Sequence, residues 1–505
     1  MAVKEVAGLP WRSGGFVAAL LIAILAYVAI TVALARTRKP WNDEAMSASA
    51  GYMLETHGYL ANPAFDEHDP VFRDIHRRVY YILPLQMIVM ALWYKIVGFS
   101  LFTTRVLSML WTAVFFCALY RFLKVLSGNA WIALLGVALT ACDYQIVSAA
   151  AFGRYDTMVA ALGFGAYALF VTLRERSFTL AVVAANTLVA LAALTHPNAL
   201  IYFLGLWVLI LWYDLRRIRF TQVALAAIPF LIAASALGWY ILQDVPAFKS
   251  QFFGNTGHRL GLFHPLHALI DEINFRYVRP YGLGWHEAGH APPFVRLKAV
   301  ALLGYLAGVV GALLIPSIRK HPGFRILLLL TGVHFLYFTF YEGMKFNYYL
   351  IHLIPLYLAL LAAVVYYFWR QRPKLQPALA AGVALLAAVG LGGALMRVHV
   401  DDMHKAYDPA VEYVKQHAGP NDLIFASCSF GFGYGFPPNL VDDITLGYYS
   451  GWKPRFIVME EIYEGNVSLY RTTGPAIYEH IRKLLPEYKM VYSNASYSVL
   501  ERKTT

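Results

Sequence analysis

Long apolar stretches alternate with short basic clusters from the N-terminus to about residue 396. The stretches at 15–35, 101–120, 130–151, 156–173, 178–195, 198–213, 220–243, 297–315, 326–341, 346–369 and 376–396 are long and apolar enough to cross a bilayer as helices. They predict about eleven spans. The run 82–97 is different: it is shorter, carries Pro84 near its start and Lys95 near its end. Lys4 and Arg12 precede 15–35, which has the length of a span and no small-residue cleavage site after it, so a retained span is predicted.

Loop charge sets the topology. If 82–97 stays on one side, Arg121 and Lys124, Arg174 and Arg176, Arg216, Arg217 and Arg219, Arg319, Lys320 and Arg325, and Arg370, Arg372 and Lys374 all fall on the cytoplasmic face. A crossing at 82–97 would move every later cluster outside. An interfacial or re-entrant helix is therefore expected there, inside an outer loop at 36–100. Arg36, Arg38 and Lys39 dissent, falling outside where they could meet lipid phosphates. The N-terminus is then cytoplasmic. Asp43, Glu44, Arg154, Asp156, His196, the loop 243–293, Lys345 and everything after 397 share the outer side.

Past residue 396 the pattern changes. Helical stretches at 409–417 and 475–485 alternate with strand-like runs at 423–427, 456–459, 489–493 and 497–500, punctuated by Gly and Pro. The reading is a mainly α polytopic membrane domain of 11–12 transmembrane helices at 1–396, followed by a small α/β extracytoplasmic domain at 397–505.

Composition agrees with a chain mostly in lipid. It is 59% hydrophobic, only 14% charged, and has a mean hydropathy of +0.52, against about 25% charged for a soluble protein. The net charge of +12 lies in loop clusters rather than in a basic stripe, so no nucleic-acid partner is expected. Three cysteines at 117, 142 and 428 form neither a disulfide framework nor a metal spacing.

The chemistry-bearing residues gather on the outer side. Asp43 and Glu44 follow the first span at once. They either cap a surface helix or place a base beside a lipid-carried substrate. Arg154-Tyr155-Asp156 opens a span; the residues form a salt-bridged helix boundary, or Arg154 binds phosphate while Asp156 orients a cation or sugar hydroxyl. Asp143 suits a hydrogen bond to a neighbouring helix. Lys345, with Tyr348 close behind, either snorkels or meets a phosphate headgroup. Arg77 and Arg78 are interfacial anchors or phosphate ligands beside Asp43. The loop 243–293 adds Arg276, Arg279 and Tyr281, the last with Phe275 and Trp285 suited to stacking on a sugar ring. His286-Glu287-Ala288-Gly289-His290 matches the H-E-x-x-H zinc pattern, but Gly282, Gly284, Gly289 and Pro292-Pro293 make a poor helix. An incidental match or a local metal site is favoured over a zinc protease. His57, His68 and His76 with Asp66, Glu67, Asp69 and Asp74 offer a divalent cation no fixed ligand spacing.

Together these residues resemble the GT-C class of membrane glycosyltransferases, in the branch with protein O-mannosyltransferases and the lipid A aminoarabinose transferase. The resemblance covers most of 15–396 and rests on Asp43-Glu44 in the first outer loop, the Pro84 helix, Arg105 opening the next span, Arg154-x-Asp156, and Lys345-x-x-Tyr348 before Pro355. The family's Pro-Pro step after a His or Lys is missing, and Arg77-Arg78-Val79-Tyr80-Tyr81 stands in that region. The resemblance implies transfer of a sugar, with inversion, from a polyprenyl-phosphate donor to a lipid, glycan or protein acceptor. It implies Asp43 as base, assisted by Glu44 and Asp156, with cations such as Arg154 and Lys345 on the leaving phosphate. No cofactor is required, although a divalent cation is compatible, and a bacterial inner membrane is the expected site. The competing class, a transporter or lipid-linked sugar flippase, would need paired repeats or broken helices at mid-membrane.

Overall fold

Residues 14–256, 265–283 and 293–503 are described by the computed structural model. Among them, eight helices are long and apolar enough to cross a membrane, and two further bent pairs pass the same test when each pair is taken together. The chain is an integral membrane protein of mainly α architecture. In chain order the principal helices are α1 Gly14–Thr37, α2 Asn42–His57, α3 Leu85–Val97, α4 Leu101–Ser127, α5 Ala130–Cys142, α6 Tyr144–Ala150, α7 Asp156–Leu173, α8 Phe178–Ala193, α9 Ala199–Asp214, α10 Phe220–Leu242, α11 Ala299–Leu314, α12 Pro322–Phe340, α13 Ile354–Gln371 and α14 Gln376–Val400.

Two breaks shape the end of the bundle that carries Asp43 and Arg154. Between α1 and α2 the axis turns by 87°. Pro40 disfavours helix at the residue before it, and Trp41 is extended at φ −112°, ψ 149°. Between α5 and α6 the axis turns by 71°. Asp143 makes that break: it leaves the helix at φ −72°, ψ 133°, and its carboxylate caps α6 by accepting from the Gln145 amide at 2.9 Å. It also accepts from the Tyr305 hydroxyl of α11, the interhelical bond expected of it.

Helix α3 is 13 residues long, about 20 Å, which is short of the roughly 30 Å hydrocarbon core. It packs on α2 through small residues. A Cβ at Gly51 would lie 2.9 Å from the Met90 Cβ, so the close approach of these two helices depends on that glycine.

After α14 the chain forms a five-stranded sheet. Its strands are β1 Ile424–Phe425, β2 Leu440–Val441, β3 Phe456–Glu460, β4 Tyr488–Ser493 and β5 Tyr497–Arg502, in the order β2-β1-β3-β5-β4. Strands β2, β1 and β3 are parallel, whereas β5 is antiparallel to β3 and to β4. Alternation of side chains covers both faces. Phe456 and Val458 pack on Tyr407 and Val411, while Ile457 packs on Tyr463 of Glu461–Thr473 and on Ile481 and Leu484 of Pro475–Leu484. Strand β2 and the helix Glu461–Thr473 add to the elements expected from sequence.

The sheet is tied to the segment between α2 and α3. Phe65 forms a parallel bridge with Asp442, with the Asp442 amide donating to the Ala64 carbonyl at 2.5 Å and the Asp66 amide to the Asp442 carbonyl at 3.3 Å. Cys428 is buried beside Ser49 and Asn62. At this junction burial pushes the Asp442 carboxyl up to about 7, and Glu460 and Asp443 push the same way against the Cys428 amide and Tyr463 hydroxyl. The folded carboxyl thus holds its proton more tightly than the unfolded one. Its stabilisation is complete below the unfolded value of about 4 and is lost as pH rises through about 7. Thermal unfolding of the purified protein between pH 5 and 8 should show Tm falling with pH, and Asp442→Asn should flatten that slope.

Candidate active site

Arg105, on the first turns of α4, has no solvent exposure. It donates to the carbonyls of Ala35 and Arg38 at 2.7 Å and of Lys39 at 3.1 Å. The same guanidinium meets Glu44 at 2.8 Å. It therefore caps the carbonyl end of α1 and grips the first turn of α2 at once, a favourable place for a cation. Glu44 is fully buried and faces this brace. With Glu44 turned inward, Asp43 one residue earlier projects to the other side, with 35% of its side chain exposed.

Arg154 lies between two carboxylates. It pairs with Asp43, and its Nε meets Asp156 at 2.7 Å. Aromatic rings surround it: its guanidinium carbon is 3.9 Å from the Tyr348 ring centre, 4.7 Å from Trp41 and 5.0 Å from Tyr155. Burial opposes its charge, but Asp156, Tyr155 and Asp43 outweigh that and hold the guanidinium well above its usual range. The backbone before it passes close to α4. A Cβ at Gly153 would lie 2.4 Å from the Thr104 methyl, so glycine lets Arg154 reach this position.

Two cavities meet at Tyr348. The first, about 310 Å³, is lined by Asp43, Ser47, Tyr81, Tyr155, His196 and Asn198 among others, and its walls are largely aromatic. His196 stacks on Tyr155 with ring centres 4.4 Å apart. The second, about 280 Å³, is lined by three cations, Arg38, Arg154 and Lys298, together with Asp156, Gln145 and Ser148. Arg38 reaches Ser148 Oγ at 2.7 Å, and Lys298 lies 5.3 Å from the Tyr144 ring centre. Asp156 Oδ1 is buried, with no hydrogen-bond partner among the described residues. Among the described residues no cluster of three or more His, Cys, Asp or Glu side chains could hold a metal ion.

The structure brings Asp43, Arg154, Asp156 and Tyr348 together. It places the other expected residues elsewhere. Lys345 donates to the Phe338 and Thr339 carbonyls at 2.7 and 2.5 Å and faces Glu272 at 3.4 Å. Its ammonium thus caps α12, and burial, the largest influence, holds it below its ordinary value. Arg276 is enclosed between Glu272 at 2.7 Å and Glu342 at 2.8 Å. Arg78 donates to Gln243 at 3.1 Å, Arg77 is exposed, and neither lines a cavity described above. Arg279 is exposed over the Phe275 ring. Tyr281 faces Tyr305 at 3.4 Å beside Asp143 rather than Asp43. His286, Glu287 and His290 lie outside the described residues, as do His258, Arg259 and His264.

Sequence reasoning missed Lys298 as a cavity cation, because a lysine opening an apolar span reads as an interfacial anchor. Ser47, Tyr81 and Asn198 carry no motif at all.

This arrangement sits on a known architecture. The chain has the GT-C fold of membrane glycosyltransferases. ArnT from Cupriavidus metallidurans bound to undecaprenyl phosphate superposes with a TM-score of 0.61 at 14% identity, over 96% of this chain and 98% of that one. The same protein in its apo state gives 0.63 at 15% identity over the same shares. The oligosaccharyltransferase of Archaeoglobus fulgidus tethered to an acceptor peptide gives 0.56 at 12% identity, over 98% of this chain and 75% of that one. No family model and no curated protein sequence matches the chain.

The brace has a measurable consequence. Arg105→Ala leaves Glu44 buried and unpaired, and the loss should be about 3–5 kcal/mol of stability. Glu44→Gln keeps a side chain of the same shape and should cost less. Thermal unfolding of the two variants in one detergent checks the order, and an equal or larger loss in Glu44→Gln would contradict the brace.

Proposed function

We propose that this protein is a glycosyltransferase that moves a sugar from a polyprenyl-phosphate donor to an acceptor hydroxyl outside the cytoplasm, with inversion. The observation that carries the reading is the Asp43–Arg154–Asp156 chain standing between an acid-and-aromatic cavity and a cationic one. The GT-C fold supports it, as does the undecaprenyl phosphate bound by the structurally similar ArnT.

In this reading the donor phosphate lies in the cationic cavity. Arg154, Arg38 and Lys298 neutralise the charge that grows as the sugar–phosphate bond breaks, and such preorganised donors need no rearrangement at the moment of reaction. Asp156, which lines the same cavity, accepts a hydroxyl of the donor sugar in this reading. Asp43 takes the proton of the acceptor hydroxyl from the opposite cavity. The acceptor oxygen attacks the anomeric carbon, the bond to the phosphate oxygen breaks, and polyprenyl phosphate leaves with the bonding pair. Attack and departure on opposite faces invert the centre. Arg154 touches both sides, so it aligns base and leaving group as well as stabilising charge.

Loop charge supports a cytoplasmic N-terminus and an outward-facing site. Native membranes supplied with a panel of radiolabelled polyprenyl-phosphate sugars provide the test. Wild type should release polyprenyl phosphate. Asp43→Asn should lower that release about 10²–10⁴-fold, and Lys298→Ala about 10²–10³-fold. If no donor of the panel gives release, with protein that remains folded, the reading is overturned and Asp43 is left as a helix-capping acid.

A further inference from the structure

Three neutral polar groups beside the 310 Å³ cavity lack a partner among the described residues. Ser47, Tyr81 and Asn198 line it, each is more than nine-tenths buried, and among the described residues Ser47 Oγ, Tyr81 Oη and Asn198 Nδ2 have no hydrogen-bond partner. Asn198 is oriented: its Oδ1 accepts from the Tyr337 hydroxyl at 3.5 Å, so its NH₂ is the end left over. Buried polar groups are almost always satisfied, and three left open along one cavity mark where a ligand completes the bonding.

The chemistry of that ligand can be read from the groups. Two hydroxyls both donate and accept, and an amide NH₂ donates. This set matches the hydroxyls of a polyol. Aromatic rings recur along its lining, Phe72, Tyr81 and Tyr341 among them, and such apolar walls suit the C–H face of a pyranose. Ser47 lies one helical turn beyond Asp43, on the same side of α2, so a hydroxyl held by Ser47 lies next to the Asp43 carboxylate.

Charge narrows the class further. The described lining includes two carboxylates, Asp43 and Glu342, and among the described residues no Lys or Arg lines it. Glu342 is engaged by Arg276. The cations face the other cavity, across Arg154. A phosphate group seated beside Asp43 would face like charge in a confined, partly desolvated space, whereas an uncharged hydroxyl does not.

We propose that this cavity is the acceptor site and that the acceptor is an uncharged saccharide, whose hydroxyl is glycosylated to give a sugar–sugar bond. The proposal rests on the transferase reading. The step balances as written above: the acceptor proton goes to Asp43, the new bond is a glycosidic C–O bond, and polyprenyl phosphate is the leaving group.

The linkage of the product tests it without knowing the acceptor. Native membranes holding the full chain are given radiolabelled polyprenyl-phosphate sugars, with Asp43→Asn in parallel. The expected label is Asp43-dependent, stable to mild acid and resistant to protease. Label lost in mild acid, as a glycosyl phosphodiester would be, overturns the saccharide acceptor and keeps the transferase. Protease-sensitive label does the same in favour of a protein acceptor. No Asp43-dependent label with any donor overturns the transferase reading itself. Asn198→Ala adds a second measure. It should slow transfer roughly tenfold while purified protein retains radiolabelled polyprenyl phosphate within twofold of wild type. Loss of that retention would assign the cavity to the donor and overturn the proposal.

Discussion

A guanidinium with no access to solvent fixes the geometry on which the site depends. Arg105 holds the last carbonyls of α1 and the Glu44 carboxylate together, and so locks the 87° turn between α1 and α2. The arrangement is costly in isolation, because both ions are desolvated. It is viable because Arg105 meets three backbone carbonyls as well as the Glu44 carboxylate. Its effect is directional. With Glu44 committed inward, the adjacent Asp43 faces the cavity, and two neighbouring acids acquire separate roles from their positions on one helical turn.

The second constraint is the sharing of Arg154. One cation between Asp43 and Asp156 links the first turn of α2 to the start of α7. The cage of Trp41, Tyr155 and Tyr348 keeps water away from it. Because Tyr348 lines both cavities, the pair forms a partition with opposite electrostatic character on its two sides. A donor that ends in phosphate and an acceptor that presents a hydroxyl need just such a division. The tail domain bears on the same region from outside. Its Asp442 bridges Phe65, which packs against Phe72 with ring centres 4.7 Å apart, and Phe72 lines the acid-and-aromatic cavity.

The spans were legible because lipid imposes long apolar runs, and the short helix α3 because a brief apolar run follows Pro84. Loop charge led to the expectation that Asp43, Arg154 and Asp156 share one side, and the structure brings these residues together. What the sequence could not show was which carbonyl or carboxylate each cation faces. Lys345 and Lys298 both stand at the end of an apolar run; only the three-dimensional path shows that the first caps α12 while the second lines a cavity. Strand β2 is two residues long beside Pro437-Pro438, and Gly465 weakens the helical signal of 461–473, so both escaped a pattern-based reading. Ser47, Tyr81 and Asn198 are neutral and ordinary in sequence. Their significance appears only when their bonding partners are sought and not found.

The most direct test of this account is a structure of the protein with a polyprenyl-phosphonate sugar, in which a carbon replaces the scissile oxygen. The account predicts the phosphonate against Arg154, Arg38 and Lys298, with the anomeric carbon turned toward Asp43. A phosphonate seated among Ser47, Tyr81 and Asn198 would contradict the division of the two cavities and the roles drawn from it.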